Sequence, residues 1–221
     1  VDEHHHHKDV YEHSITVLEQ AIEHEDRLGG PNLVLRLASL LHDIGKPKTR
    51  AFIEGGGVSF HHHEVVGARL AKKRLQALRF DNDTIDAVEL LTTLHLRFHG
   101  YGEGEWTDSA VRRYVRDAGE FITHLHVLTR ADCTTRNKSK AARLAATYDS
   151  LEARIAVLME QEELSKIRPD LDGAQVMQIL NVKPSREVGQ AMDFLLELRL
   201  EQGPIGEEAA TKALLDWWAK K

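Results

Sequence analysis

With 221 residues, 42% hydrophobic and 29% charged, the chain can bury a real core and reads as one large globular domain, or a domain with an appendage. It contains no run of about 18 apolar residues that would span a bilayer; its single cysteine, Cys133, excludes an internal disulfide and a thiolate zinc site, which makes the cytoplasm the expected compartment. A net charge of −6 argues against non-selective coating of nucleic acid, and the compositional outlier is histidine, with 14 residues gathered mostly in clusters.

The chain opens at Val1-Asp2-Glu3 without a charged n-region or an apolar h-region, the pattern of a piece cut from something longer. His4 to His7 read either as a tag remnant or as native sequence running into Lys8-Asp9. Apolar residues recur at helical spacing nearly everywhere and strand-like alternation is almost absent, so the fold class is all-α. Val10 to Leu28 forms a first amphipathic helix closed by Gly29-Gly30-Pro31. Asn32 caps a second, from Leu33 to about Ile44, apolar nearly all round and therefore expected to be buried, with Gly45 and Pro47 stopping it. A glycine-rich loop, Gly55-Gly56-Gly57, leads through His61-His62-His63-Glu64 to a third helix ending near Leu78, and Asn82 or Asp83 starts a fourth that runs to His95. A loop covers residues 99–107, Asp108 caps a short helix to Ala118, and another runs from Glu120 to about Thr135. From Lys138 to Ile167 a long helix carries Leu144, Tyr148, Leu151, Ile155 and Leu158 at alternating spacings of four and three, a packing stripe suited to a connecting helix. Shorter helices follow at about 173–180, 185–201 and 207–219, divided by Pro184 and Pro204. The expected organisation is residues 1–137 as one helical domain and 138–221 as a long helix with a small helical tail.

His42-Asp43 falls at the end of the apolar second helix, where burying an imidazole beside a carboxylate is costly unless each is paired or bound to a metal. An isolated pair of this kind is most simply a hydrogen-bonded core histidine. Further polar residues on apolar faces change that reading: His13 beside Val10 and Val17, His95 with Val88 and Thr92, and Asp132 with Leu125 and Leu128. Several such residues on separate helices indicate a shared centre. Imidazole and carboxylate donors without thiolate suit a divalent metal with open positions, which lowers the pKa of bound water and neutralises phosphoryl charge. The identity of the metal, whether Fe, Mn, Ni, Co, Mg or Zn, is not encoded in these donors.

The order His13, His42-Asp43, Asp132 resembles the H…HD…D signature of the HD superfamily of phosphohydrolases, which is all-helical and metal-dependent. The resemblance implies an HD-domain helical bundle in which His13, His42, Asp43 and Asp132 ligate one ion, Asp43 bridges, and His63 and His95 serve a second. His61 and His62 compete with His63, which is preferred because it immediately precedes the helix that Glu64 opens. Asp43 and Lys46 are the implied catalytic pair, with Lys46 facing the substrate phosphate.

A narrower resemblance covers nearly the whole chain. It rests on residues 7–14, Leu41 to Pro47, Phe60 to Ala68, Thr129-Arg130-Ala131-Asp132-Cys133 with Arg136-Asn137, and Pro169-Asp170-Leu171-Asp172-Gly173 with Val188-Gly189. Together they resemble the C-terminal half of bacterial CCA-adding tRNA nucleotidyltransferases, often named poly(A) polymerases, in which an HD domain follows the nucleotide-adding half. That half's G-G-x-V-R-D motif is absent here, so this chain alone is not expected to polymerise. A second departure is His62, which stands where the resemblance leads one to expect glycine.

The resemblance implies a role in tRNA 3′-end processing, with one or two divalent ions and metal-dependent phosphatase or 2′,3′-cyclic phosphodiesterase chemistry. The expected partners are a tRNA 3′ end or nucleotide phosphate ester and an N-terminal nucleotidyltransferase half missing from this sequence, with no membrane. His7, Lys8, Arg130, Arg136, Asn137 and Lys138 are the candidates for contacting phosphate or RNA. Two other readings are a free-standing nucleotidase for small nucleotides and a non-catalytic RNA-binding module with a structural metal site.

Overall fold

The computed structural model describes residues 9–101, 106–135, 137–162 and 167–221, except for the side chains of residues 99 and 100. Its helices are α1 Val10–Glu23, α2 Leu33–Leu41, α3 Lys46–Thr49, α4 His63–Ala77, α5 Asn82–Leu94, α6 Asp108–Ala118, α7 Ile122–Ala131, α8 Lys138–Glu162, α9 Gly173–Leu180, α10 Arg186–Gln202 and α11 Glu207–Trp218. The all-α reading holds, with one addition. Instead of an open loop, the glycine-rich stretch is the turn of a hairpin in which β1, Ala51–Phe52, pairs antiparallel with β2, Val58–Ser59. Gly55, Gly56 and Gly57 have φ of 91°, 102° and 105°, a left-handed run open cheaply only to glycine. Two-residue strands are too short to produce a periodic signal in the sequence.

Most helix starts follow from side-chain caps. Asp9, Asn32 and Asp81 each accept a hydrogen bond from a backbone N–H in the first turn of α1, α2 and α5, at 2.8, 2.9 and 2.8 Å. The fourth helix expected from the sequence, α5, thus begins at Asn82, one of its two expected starts, with Asp81 as its cap.

Helix ends differ more. The first helix stops at Glu23 because Glu25 turns inward, 4% exposed, to accept two hydrogen bonds from the Arg36 guanidinium and one from the Asn32 N–H. The helical periodicity continues through Leu28 only because Glu25–Leu28 is a 3-10 turn. The second helix ends at Leu41, before His42-Asp43; Leu35, Ala38 and Ser39 are buried as its apolar character implies, and its outer residues Leu33 and Leu40 stay exposed. Pro47, expected as a stop, instead lies in the first turn of α3, where its missing N–H costs nothing.

Backbone contacts divide the chain into two compact units, one formed by the described residues of 1–105 with Ala118–Leu151, the other by those of Trp106–Asp117 with Glu152–Lys221. In the first unit α2 packs against α1, α5 and α7, and α4 against α5. Val17, Leu35, Ala38, Val88, Leu91, Leu125 and Leu128 form its core. The start of α8 is fixed to this unit by Tyr148, which stacks on Phe98 with ring centroids 3.9 Å apart and donates a 2.7 Å hydrogen bond to the Thr129 carbonyl.

The second unit has its own core of Leu171, Val176, Ala191, Leu195, Ala210 and Leu214. Trp217 closes it by stacking on Phe194 at 5.2 Å, the part of a docking anchor for α11. Asp172 caps α9 in a reciprocal box with Gln175. In the same unit the buried Arg112 makes a bidentate pair with Glu162, 2.8 Å on each arm, and the buried Arg199 approaches the same carboxylate at 3.3 Å.

Candidate metal centre

His42, His95 and Asp132 occupy the C-caps of α2, α5 and α7, and His63 is the first residue of α4. The last carbonyls of a helix have no partner within it. His42 and His95 use that vacancy: Nδ1 of each donates to the carbonyl three residues back, Ser39 at 2.8 Å and Thr92 at 2.7 Å. His63 repeats the geometry on Phe60, at 2.8 Å. A carbonyl only accepts, so each Nδ1 carries a proton, and in the neutral ring it is Nε2 that presents the lone pair. One contact therefore caps the chain, fixes the tautomer and aims the ring.

The three Nε2 atoms converge on Asp43, which is 1% exposed. Its Oδ2 lies 3.3 Å from His42 and 3.4 Å from Nε2 of His13, while Oδ1 lies 3.3 Å from His63 and 3.9 Å from His95. Asp132 Oδ1 accepts a 2.9 Å hydrogen bond from His13 Nε2 and is 3.5 Å from His42. The donors fall into two sets, each compact enough for an ion: His13, His42 and Asp132, and Asp43, His63 and His95. Asp43 divides its two oxygens between them.

The electrostatics favour a cation. Burial works against both carboxyls, yet His42 and His63 hold Asp43 well below the usual carboxylate range, and His13 and His42 do the same for Asp132. Burial likewise opposes charge on His42, but Asp132 and Asp43 more than offset it and hold the imidazole up at about 10. At His95 burial and the neighbouring His42 act together and push it down to about 4. Two ionised carboxylates thus create a field that favours positive charge at His42 and cannot satisfy both rings with protons. Three helix C-termini add roughly half a negative charge each.

The donor set fits a divalent metal. Nε2 of His42, His63 and His95 is buried without a hydrogen-bond partner, and a buried polar group left unpaired costs about 1–3 kcal/mol. Ligation removes that cost, and imidazole with carboxylate is the chemistry of non-thiolate divalent sites.

Two backbone features hold the second set in place. A Cβ added to Gly45 would lie 2.1 Å from the His63 carbonyl and 2.7 Å from the Gly67 N, so the turn after His42-Asp43 rests directly on the start of α4. Gly45→Ala is expected to lose at least about 1–3 kcal/mol in denaturant unfolding, since backbone atoms must move to relieve the overlap. His62 has φ 61° and ψ 24°, a left-handed conformation. Glycine was expected there from resemblance, and this backbone explains why it suits the position. His62→Gly is expected to raise stability by about 1 kcal/mol by relieving the Cβ penalty, read as a higher denaturant midpoint.

The structure brings His13, His42, Asp43, His63, His95 and Asp132 together, and it leaves His61 and His62 exposed. Lys46 lies 2.6 Å from Asp43 Oδ2 and 5.8 Å from the Phe60 ring centroid. Both border a cleft of about 570 Å³ together with Asp9, His13, Asp43, Arg50, Phe52 and Thr134. Arg130 pairs with Asp149 at 2.7 Å and lies over Tyr148, while Asn137 accepts from the Lys140 N–H at the start of α8. Lys138 is exposed. His7, Lys8 and Arg136 lie outside the described residues. Sequence reasoning missed Arg50, Phe52 and Thr134; the Gly55-Gly56-Gly57 turn flanked by Ala51-Phe52 and Val58-Ser59 was the available signal for the hairpin that carries Phe52.

Fold and centre together define a helical protein built around a paired His/Asp site suited to divalent metal. The chain belongs to the HD domain family, whose model matches residues 10–161. It is similar to the A-adding tRNA nucleotidyltransferase of Deinococcus radiodurans, with 31% identity over 219 residues that cover 98% of this chain and 48% of that protein. It is also similar to the CC-adding tRNA nucleotidyltransferase of Thermus thermophilus, with 34% identity over 191 residues covering 84% of this chain and 40% of the relative. The chain thus spans no more than about half the length of the curated relatives it matches. Among the described residues no helix is long and apolar enough to cross a membrane.

Proposed function

We propose that this centre binds two divalent cations, one at each donor set, and that the chain hydrolyses a phosphate ester, as a phosphatase or 2′,3′-cyclic phosphodiesterase. The observation that carries the reading is the set of three buried imidazoles whose Nδ1 atoms are committed to carbonyls while their Nε2 atoms face one carboxylate. A bound divalent ion supplies acidified water and neutralises phosphoryl charge. The residues do the rest: Asp43 ties the two donor sets together and Thr134 Oγ1, 3.5 Å from His13 Nδ1, flanks the first. Lys46, on the cleft wall, offers its ammonium to the phosphoryl oxygens and, through its contact with Asp43, keeps that charge next to the reacting group.

Membership of the HD family and similarity to the two tRNA nucleotidyltransferases support placing the chain as the HD-bearing C-terminal half of such an enzyme, in the cytoplasm, acting at tRNA 3′ ends or on nucleotide esters. In this reading residues 1–137, which include all the candidate ligands, are the phosphohydrolase-type domain and 138–221 the helical continuation, and His7, Lys8, Arg130, Arg136, Asn137 and Lys138 are the candidates for phosphate or RNA contacts. The test is to strip the protein of metal, reload it separately with Mn, Ni, Co, Zn, Mg or Fe, and assay 2′,3′-cyclic nucleotides and phosphomonoesters. Metal-dependent turnover is expected. Full metal loading without turnover of any ester would overturn the catalytic reading, and a coding sequence lacking a nucleotidyltransferase half upstream would overturn the placement.

A further inference from the structure

The hairpin that borders the cleft carries an arrangement the hydrolytic chemistry does not use. Phe52 is 76% exposed although it is a large aromatic residue on the cleft wall, and the Arg50 guanidinium lies 4.9 Å from its ring centroid. Among the described residues Arg50 has no carboxylate partner, so its charge is not spent on an ion pair. The ring is held at the edge of the site by a two-residue strand whose turn carries no side chain at Gly55, Gly56 or Gly57, with nothing within 4 Å of any of them. Lys46, Phe60 and Asp43 lie on the same cleft.

An exposed aromatic face layered with an unpaired guanidinium is a poor core element, because it leaves apolar area in water. It is a good surface for a flat, π-rich group, since every nucleobase presents a π-face and stacking on an aromatic side chain tolerates any base. Arg adds a second planar face and a positive charge for a nearby phosphate. The cleft volume, about 570 Å³, is that of a small-molecule site.

We infer that Phe52, backed by Arg50, is the base-stacking element of this site, so that the ester it takes is a nucleotide whose phosphate lies at Asp43 and Lys46 and whose base rests on the hairpin. This rests on the proposed hydrolysis of nucleotide esters and adds the residues that select for the base, so that nucleotides of any base are taken in preference to sugar phosphates or other esters. The specificity is for the presence of a base, with little discrimination between bases, because stacking on Phe52 uses the π-face that every base presents.

The test compares binding of a nucleoside 3′-monophosphate with that of ribose 5-phosphate by titration calorimetry, with p-nitrophenyl phosphate turnover measured in parallel. The expected result is tighter binding of the nucleotide by about tenfold or more. Phe52→Ala should bring the ratio close to one, whereas Phe52→Trp should preserve it. The ratio is the readout, so a uniform change in affinity leaves the comparison intact. Equal binding of both ligands by the native protein, or a ratio unchanged in Phe52→Ala, would overturn the inference while p-nitrophenyl phosphate turnover still upheld the hydrolytic function. Absence of turnover of any ester by the metal-loaded protein would overturn both.

Discussion

Asp43→Asn is expected to reduce metal-dependent ester hydrolysis by more than about 100-fold, beyond the loss usual for groups that merely orient a metal ligand. Asp43 divides its two carboxylate oxygens between the donor sets: Oδ2 faces His13 and His42, and Oδ1 faces His63 and His95. An amide keeps the shape but supplies one neutral oxygen where a carboxylate supplies two charged ones. Metal content should therefore fall at both sets. His63→Ala, by contrast, removes a donor from one set only and should leave the other loaded. Metal analysis of the two variants beside their turnover separates these outcomes, and a circular dichroism spectrum matching the native protein shows that the bundle survives.

Glu162→Ala is expected to destabilise the second unit by about 3–5 kcal/mol, the range for removing one partner of a buried ion pair. Arg112 makes its bidentate bond to Glu162 and also donates to the Leu200 carbonyl at 3.2 Å, and Arg199 reaches both the Glu162 carboxylate and its backbone carbonyl. Without the carboxylate two buried guanidiniums lose the anion they share among the described residues. Arg112 holds Glu162 below its usual value of 4.5. The folded-state value being the lower one, the contribution is complete above the usual value and fades as pH falls through the lowered one. Denaturant unfolding of the native and variant proteins at neutral pH and near pH 4 measures both effects; the difference between them should shrink at the lower pH.

Much of the site was legible because its chemistry is carried by residue type and order. His42-Asp43 after an apolar helix, with His13, His95 and Asp132 on the apolar faces of separate helices, already implied convergence, and resemblance supplied the grouping. The helix ends were not legible. Reading His42 and Asp43 as part of the second helix missed that the helix stops at Leu41 and that the histidine itself caps it through Nδ1. That capping bond lies within four residues of sequence, but nothing in residue type distinguishes it from one more helical turn. Pro47 was misread for a related reason, since proline both ends helices and opens them. The second unit's ion triad joins positions 50 and 37 residues apart, a separation that no local pattern encodes. The hairpin was hidden because two-residue strands leave no alternation, and with it went the only exposed aromatic wall of the cleft among the described residues.

These histidines and aspartates would hold divalent metal in two donor sets joined by Asp43. Titration of the metal-stripped protein with Mn(II), followed by electron paramagnetic resonance, tests this arrangement most directly. Two tightly held ions per chain are expected, with signals coupled in the native protein and uncoupled or lost in Asp43→Asn. Binding no tighter than that of scattered surface carboxylates, and unchanged when His42, His63 or Asp43 is replaced, would contradict it.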